Sequence, residues 1–197
     1  MNSLKRVILI TGTPCVGKTT ISSLLSLKLN ATHIDVGKLV EKEGLTKGTD
    51  RLRGTLIADL DRLSKRILEI IEKTKGDIII DGHYVTEVVP KENIFKVFVL
   101  RKNPEELKKL MEAKGFKNRK LWENLAAEIL DICLFNAIKM CGLDKVCEID
   151  TSGKSPGEVV EEILSVLDNK LKCQVGIVDW LGKLEREGRL EDFLKDF

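Results

Sequence analysis

At 197 residues, 43% hydrophobic and 32% charged, the chain suits one globular α/β domain with small insertions and a sizeable core. Its 33 basic and 31 acidic side chains give a net charge of +2, which excludes a whole-chain pull toward nucleic acid. No run of about 18 apolar residues offers a membrane span. The short N-terminal apolar run does not read as a cleavable signal. Five cysteines (Cys15, Cys133, Cys141, Cys147, Cys173), odd in number and without CxxC spacing, predict neither a disulfide framework nor a zinc site, and a cytoplasmic, reducing compartment is expected.

The chain is organised around Arg6 to Leu29. Val7 to Ile10 form a β-branched run typical of a strand buried on both faces. Gly12, Gly17, Lys18 and Thr19 then satisfy G-x-x-x-x-G-K-[ST], and Ile21, Leu24, Leu25, Leu27 and Leu29 recur at helical spacing. Strand, glycine loop and helix are the order a phosphate-binding loop requires. Its N–H groups can turn around phosphate oxygens, with the helix N-terminus adding its positive dipole end. Lys18 is expected to reach the β- and γ-phosphates and Thr19 to ligate Mg²⁺.

Thr32 to Val36 reads as a second strand, followed by a glycine turn at Gly37 and a brief helix to Glu43. From Gly44 to Gly54 the apolar pattern lapses, which reads either as a solvated loop or as a flap gripping a second phosphate through Arg51 or Arg53. Leu56 to Lys73 carries the periodicity of an amphipathic helix. Asp77 to Asp81 is an apolar strand ending in an acid, the form of a Walker B segment, so Asp81 is expected near the metal. His83, two residues on, is assigned a role in positioning a water or phosphoryl oxygen. His33 is read as structural.

Ile94 to Leu100 forms a fourth strand, closed by Arg101, which either faces phosphates or pairs at the surface with a nearby glutamate. Pro104, Glu105 and Glu106 mark a helix start. The basic segment Lys114 to Lys120 suits a hinged loop that closes over substrates. Leu121 to Met140 is expected as the longest helix, with Glu128 on its surface and Asn124 either on the surface or pointing inward. Val146 to Ile149 is the fifth strand, followed by a turn carrying Lys154 and a helix from Pro156 to Leu167. Beyond Asn169, two short amphipathic helices are expected, covering the sheet or offering an apolar stripe to a partner.

ITGTPCVGKTT, HIDVGKLVEKEGL, IIIDGH, FVLRKNPEELKKLMEAKGF, KLWENLAAEI and DTSGK together resemble the adenylate kinase isoenzyme 6 family, shared by archaea and eukaryotes, over about Arg6 to Leu167. The resemblance implies a P-loop NTPase of the α/β class, like a nucleoside monophosphate kinase, with a five-stranded parallel sheet flanked by helices. Residues 1–168 would form that domain, with an NMP-binding region at about 35–58 and a lid at about 113–123. Residues 169–197 would be a helical extension packed on it.

The implied reaction is ATP + AMP = 2 ADP with Mg²⁺. The implied alternative is an ATPase assembly factor acting on a uS11-type ribosomal protein of the small subunit and on the pre-ribosome. A kinase for another small metabolite is a third reading. By resemblance, Gly12, Pro14, Cys15, Val16, Gly17, Lys18, Thr19 and Thr20 bind ATP phosphates, with Lys114 and Lys154 as further nucleotide contacts. Lys18, Asp81, His83 and Arg101 would be catalytic, Gly37, Arg51 and Arg53 would hold the acceptor, and Thr19 and Asp81 the metal. Two departures from the family pattern are Cys15 in place of a glycine and Tyr84 after His83.

Overall fold

The computed structural model describes residues 5–50 and 55–194. In chain order these form β1 (Val7–Gly12), α1 (Lys18–Leu29), β2 (Thr32–Asp35), α2 (Val36–Glu43), β3 (Thr46–Asp50), β4 (Thr55–Ala58) and α3 (Leu60–Lys73). There follow β5 (Ile78–Asp81), α4 (Val85–Val88), β6 (Lys96–Arg101), α5 (Pro104–Ala113), α6 (Asn118–Ile129) and α7 (Ile132–Cys141). The chain continues through β7 (Val146–Asp150), α8 (Pro156–Leu167), α9 (Trp180–Arg186) and α10 (Glu191–Leu194).

Five strands pair in parallel in the order β2-β5-β1-β6-β7. Their side chains alternate strictly between two cores, as a period of two demands. Ile8, Ile10, Ile79, Phe98 and Leu100 face α1, α5, α6 and α8, and Trp180, Leu184 and Phe193 of the tail join that layer. Val7, Leu9, Ile78, Ile80, Val97 and Val99 face α3, α4 and α7. Both faces are covered, which is why these strands read as unbroken apolar runs. The parallel register brings Gly12, Asp35, Asp81, Arg101 and Asp150 to one carboxyl edge of the sheet, where α/β folds bind their ligands.

Helix ends follow their caps. Asp35 accepts from Lys38 N at 3.0 Å, Asn103 from Glu105 N ahead of Pro104, and Ser155 and Glu158 form a reciprocal capping box.

Three expectations are corrected. Residues 56–58 belong to a strand, not to the following helix: β3 and β4 pair as an antiparallel hairpin, and Asp59 caps α3 by accepting from Arg62 N. The long helix expected over Leu121 to Met140 is two helices, broken at Asp131 with φ 56°. The break has a tertiary cause, because the Arg101 guanidinium takes the Glu128 carbonyl at 2.8 Å and the Asp131 carboxylate. Finally, Cys147 and Cys173 form a disulfide, contrary to the reading of the cysteines as unpaired; Cys15, Cys133 and Cys141 are free. Cysteine counting fails here because one bridge within a larger cysteine set leaves no spacing signature.

Candidate active site

The loop from Gly12 to Thr20 turns between β1 and α1 with two glycines in backbone conformations that side chains disfavour. Gly12 has φ 138°, and a Cβ there would meet the Leu100 carbonyl oxygen at 2.5 Å. Gly17 has φ 105° and caps α1. Cys15 adopts φ 71°, the left-handed region that favours glycine, so this position carries backbone strain of about 1–2 kcal/mol. Its thiol is held above the usual range by burial, against the nearby Lys114 and Lys18 cations. Pro14 lines the adjoining cavity, Val16 is buried in the core and Thr20 is exposed.

Lys18 curls back over the loop and donates to the carbonyls of Gly12 at 2.8 Å and Thr13 at 2.9 Å. Burial draws its ammonium below the usual lysine range, while Asp81 and Glu128 are among the groups that oppose that fall. The Thr19 hydroxyl donates to Asp81 at 3.0 Å and lies 3.4 Å from an Asp35 oxygen. Asp81 also hydrogen-bonds His33 Nε2, so the histidine read as structural is tied into this cluster. A hydroxyl and two carboxylates at the head of the glycine loop are hard oxygen donors, and they fit Mg²⁺, which keeps several waters and phosphate oxygens as its other ligands. Among the described residues no group of three or more His, Cys, Asp or Glu could by itself enclose a metal ion.

Two cavities meet beside this loop. The larger, about 650 Å³, runs from Thr11 and Pro14 to Phe116, Lys120 and Cys133. The smaller, about 380 Å³, lies between α2 and β4 and is lined by Val36, Gly37, Val40, Glu41 and Ala58. Leu56, His83 and Tyr84 line both, so the imidazole sits at the junction. Desolvation in the cleft and the Lys18 charge both lower the His83 pKa, which keeps the ring neutral at pH 7. Tyr84 meets it edge-on at 5.2 Å.

Arg101 pairs with glutamates, as one of its two readings had it, but in the interior and not at the surface. Its side chain is 1% exposed and faces neither cavity. It donates to Glu128 at 3.0 Å, to Glu148 at 2.5 Å and to Asp131. Glu128, expected on the surface, is equally buried. Lys154 pairs with Glu162 at 2.7 Å, and Lys114 is exposed at the end of α5. Arg51 and Arg53 lie outside the described residues. The sequence reading passed over Asp35, although its place at a strand end facing an α/β cleft is the same signal that identified Asp81.

A glycine loop between the first strand and helix of a five-stranded parallel sheet, with an acid at the end of the neighbouring strand, defines the P-loop kinase fold. Solved structures agree: a thymidylate kinase from Candida albicans superposes with a TM-score of 0.55 at 17% identity, covering 84% of this chain and 92% of that one. A shikimate kinase from Acinetobacter baumannii gives 0.60 at 17% identity, covering 87% and 97%. Residues 8–131 match a family model described as an AAA domain.

The chain belongs to the family of archaeal proteins that carry the name "Putative adenylate kinase". The member from Methanocaldococcus jannaschii is 42% identical over 176 residues, spanning 89% of this chain and 93% of the relative. That from Thermococcus onnurineus is 37% identical over 174 residues, spanning 88% and 91%.

Proposed function

We propose that the protein is an adenylate kinase that moves the γ-phosphoryl group of Mg·ATP to AMP, giving two ADP. The observation that carries this reading is the pair of cavities joined at His83 and Tyr84, one reaching the glycine loop and one enclosed by α2 and β4. A donor and an acceptor in the two would meet at the junction, and positioning of that kind is most of what phosphoryl transfer needs. The loop amides and Lys18 would hold the donor phosphates. Thr19, with Asp81 and Asp35 beside it, would hold Mg²⁺, whose charge neutralises the transferring oxygens. Gly37 lines the acceptor cavity, and Arg51 and Arg53 are proposed to reach the acceptor phosphate. Lys114 and Lys120, in the basic segment at 113–123, would close over the donor and exclude water.

ATP hydrolysis is a second reading, supported by the neutral imidazole of His83 facing the larger cavity, where it can accept a proton from water. In that reading the protein acts as an assembly factor in small-subunit maturation, with a uS11-type ribosomal protein as partner; its support is the family resemblance.

The two readings separate in one experiment. Purified protein with ATP and Mg²⁺ is incubated with and without AMP, and ADP and inorganic phosphate are quantified. AMP-dependent ADP without phosphate supports the kinase. Phosphate release indifferent to AMP replaces it with the ATPase.

A further inference from the structure

Glu128 stands outside the cleft and contacts no proposed substrate, yet it is 1% exposed and every hydrogen bond it makes has a geometric consequence. Its Oε2 accepts from the Thr13 hydroxyl at 2.5 Å, inside the glycine loop. Its Oε1 accepts from Arg101 Nε and from the Lys102 backbone N–H, both at 3.0 Å. Arg101 is in turn fixed by Glu148, whose other oxygen accepts from the Gly176 and Ile177 amides at 2.7 and 2.8 Å. The Thr13 carbonyl is one of the two that hold the Lys18 ammonium. One carboxylate therefore links a rigid buried arginine to the peptide that sets the position of the loop lysine.

Glu128 also lies on α6, the helix that begins inside the basic segment proposed as a lid. The same face of α6 carries Leu121 and Leu125 into the core, so the helix is anchored by packing on one side and by this carboxylate at its end. The segment at 113–123 is thus tied to the glycine loop by the Glu128 carboxylate as well as by the packing of Leu121 and Leu125 against Val16.

We propose that Glu128 is a positioning residue for phosphoryl transfer: it holds Thr13, and through it the Lys18 end of the glycine loop, in register with helix α6. The inference rests on the phosphoryl-transfer reading above but not on the acceptor's identity. Buried charge-assisted hydrogen bonds of this kind are short and directional. Displacing the reacting groups by about 1 Å costs on the order of 10²-fold in rate.

The test uses three variants of the full chain, Glu128→Gln, Thr13→Val and the double variant, with Thr13→Ser as the conservative control. Thr13→Val removes the loop's half of the contact without touching Arg101, so it stays informative if Glu128→Gln folds poorly. Turnover is read both as AMP-dependent ADP formation and as AMP-independent phosphate release, alongside thermal unfolding. The expected result is a fall in kcat of about 10–100-fold for each single variant, with the KM for ATP changed less than about threefold. The double variant falls no further, because both substitutions break one contact, and Thr13→Ser recovers most of the loss. Wild-type kcat in Thr13→Val, or losses that multiply in the double variant, overturns the proposal. So does a Glu128→Gln deficit that equals its loss of folded protein. A wild type that releases phosphate without responding to AMP overturns only the adenylate kinase reading, and the variants are then compared on phosphate release.

Discussion

Strands β5 and β6 flank β1 on opposite sides, and each ends in a charged residue at the carboxyl edge of the sheet. Asp81, on β5, is 2% exposed but bonds outward, to an exposed Thr19 hydroxyl and a partly exposed His33, beside the glycine loop. Arg101, on β6, bonds inward to two carboxylates as buried as itself and to a third, Asp131, that is half-exposed. Equivalent places in the topology thus differ: one carboxylate is tied to exposed groups beside the glycine loop, the other charge is held by acceptors of the protein itself. Strand-end position marks a candidate; the exposure of its partners decides its role.

The sharpest way to break that contrast is at Arg101. Arg101→Ala leaves Glu128 and Glu148 buried without their cation, and should cost about 3–5 kcal/mol of stability in chemical denaturation. Arg101→Lys should recover only part of it, because four acceptors are set for a planar fork. A denaturation midpoint unchanged by Arg101→Ala would move this residue from scaffold to site.

Asp81→Asn should do the reverse. Turnover is expected to fall about 10²–10³-fold through weakened Mg²⁺ binding, and the amide oxygen can keep one of the two hydrogen bonds, so the denaturation midpoint should move less than for Arg101→Ala. Titrating activity against Mg²⁺ checks this, since the variant should need more of the ion.

His83→Ala should lose about 10²-fold in turnover with ATP binding retained. The pH dependence has a defined sign. Because the folded-state pKa of His83 is lowered, the neutral ring persists throughout the range above about 6.5, the ordinary imidazole value. Activity attributable to His83 should therefore be flat there and fall only at more acid pH. For stability the unfolded chain takes up this proton first, so the group destabilises the fold as pH drops below about 6.5 and has no effect above it. A rate profile that breaks above neutrality would assign the titration to another group.

The smallest effect is expected at Cys15. Cys15→Gly relieves the φ 71° strain but adds freedom to the unfolded chain, so a net gain of about 1 kcal/mol or less is expected by thermal denaturation. A loss instead would mean that the thiol packs usefully where it stands.

The sheet was legible because its strands are buried on both faces and read as continuous β-branched runs. The glycine loop was legible because its backbone geometry demands particular residue types. What failed was tertiary in origin. The β3–β4 hairpin has exposed strands with no alternation to reveal it, and Leu56 and Ile57 continued the periodicity of α3 past the Asp59 cap. The break at Asp131 was hidden because the apolar stripe runs on through Ile132, while its cause, Arg101, is 30 residues away. Glu128 had a signal: it falls three residues after Leu125 and one before Ile129, on the buried face of its helix. A charge on that face called for a buried partner, and the sequence alone does not say which.

The tail also alters what the sheet offers to other molecules. After α8 the chain returns along the outer strand β7, where Glu148 N donates to the Gln174 carbonyl at 2.8 Å and the Cys147–Cys173 bridge fastens the segment in place. An open sheet edge is a template for pairing with other chains. Here residues 173–177 occupy part of that template from within the same molecule. Loosening that segment from β7, by Cys173→Ser together with Glu148→Gln, would bare the β7 edge, and its characteristic failure would be edge-to-edge self-association, seen as concentration-dependent light scattering.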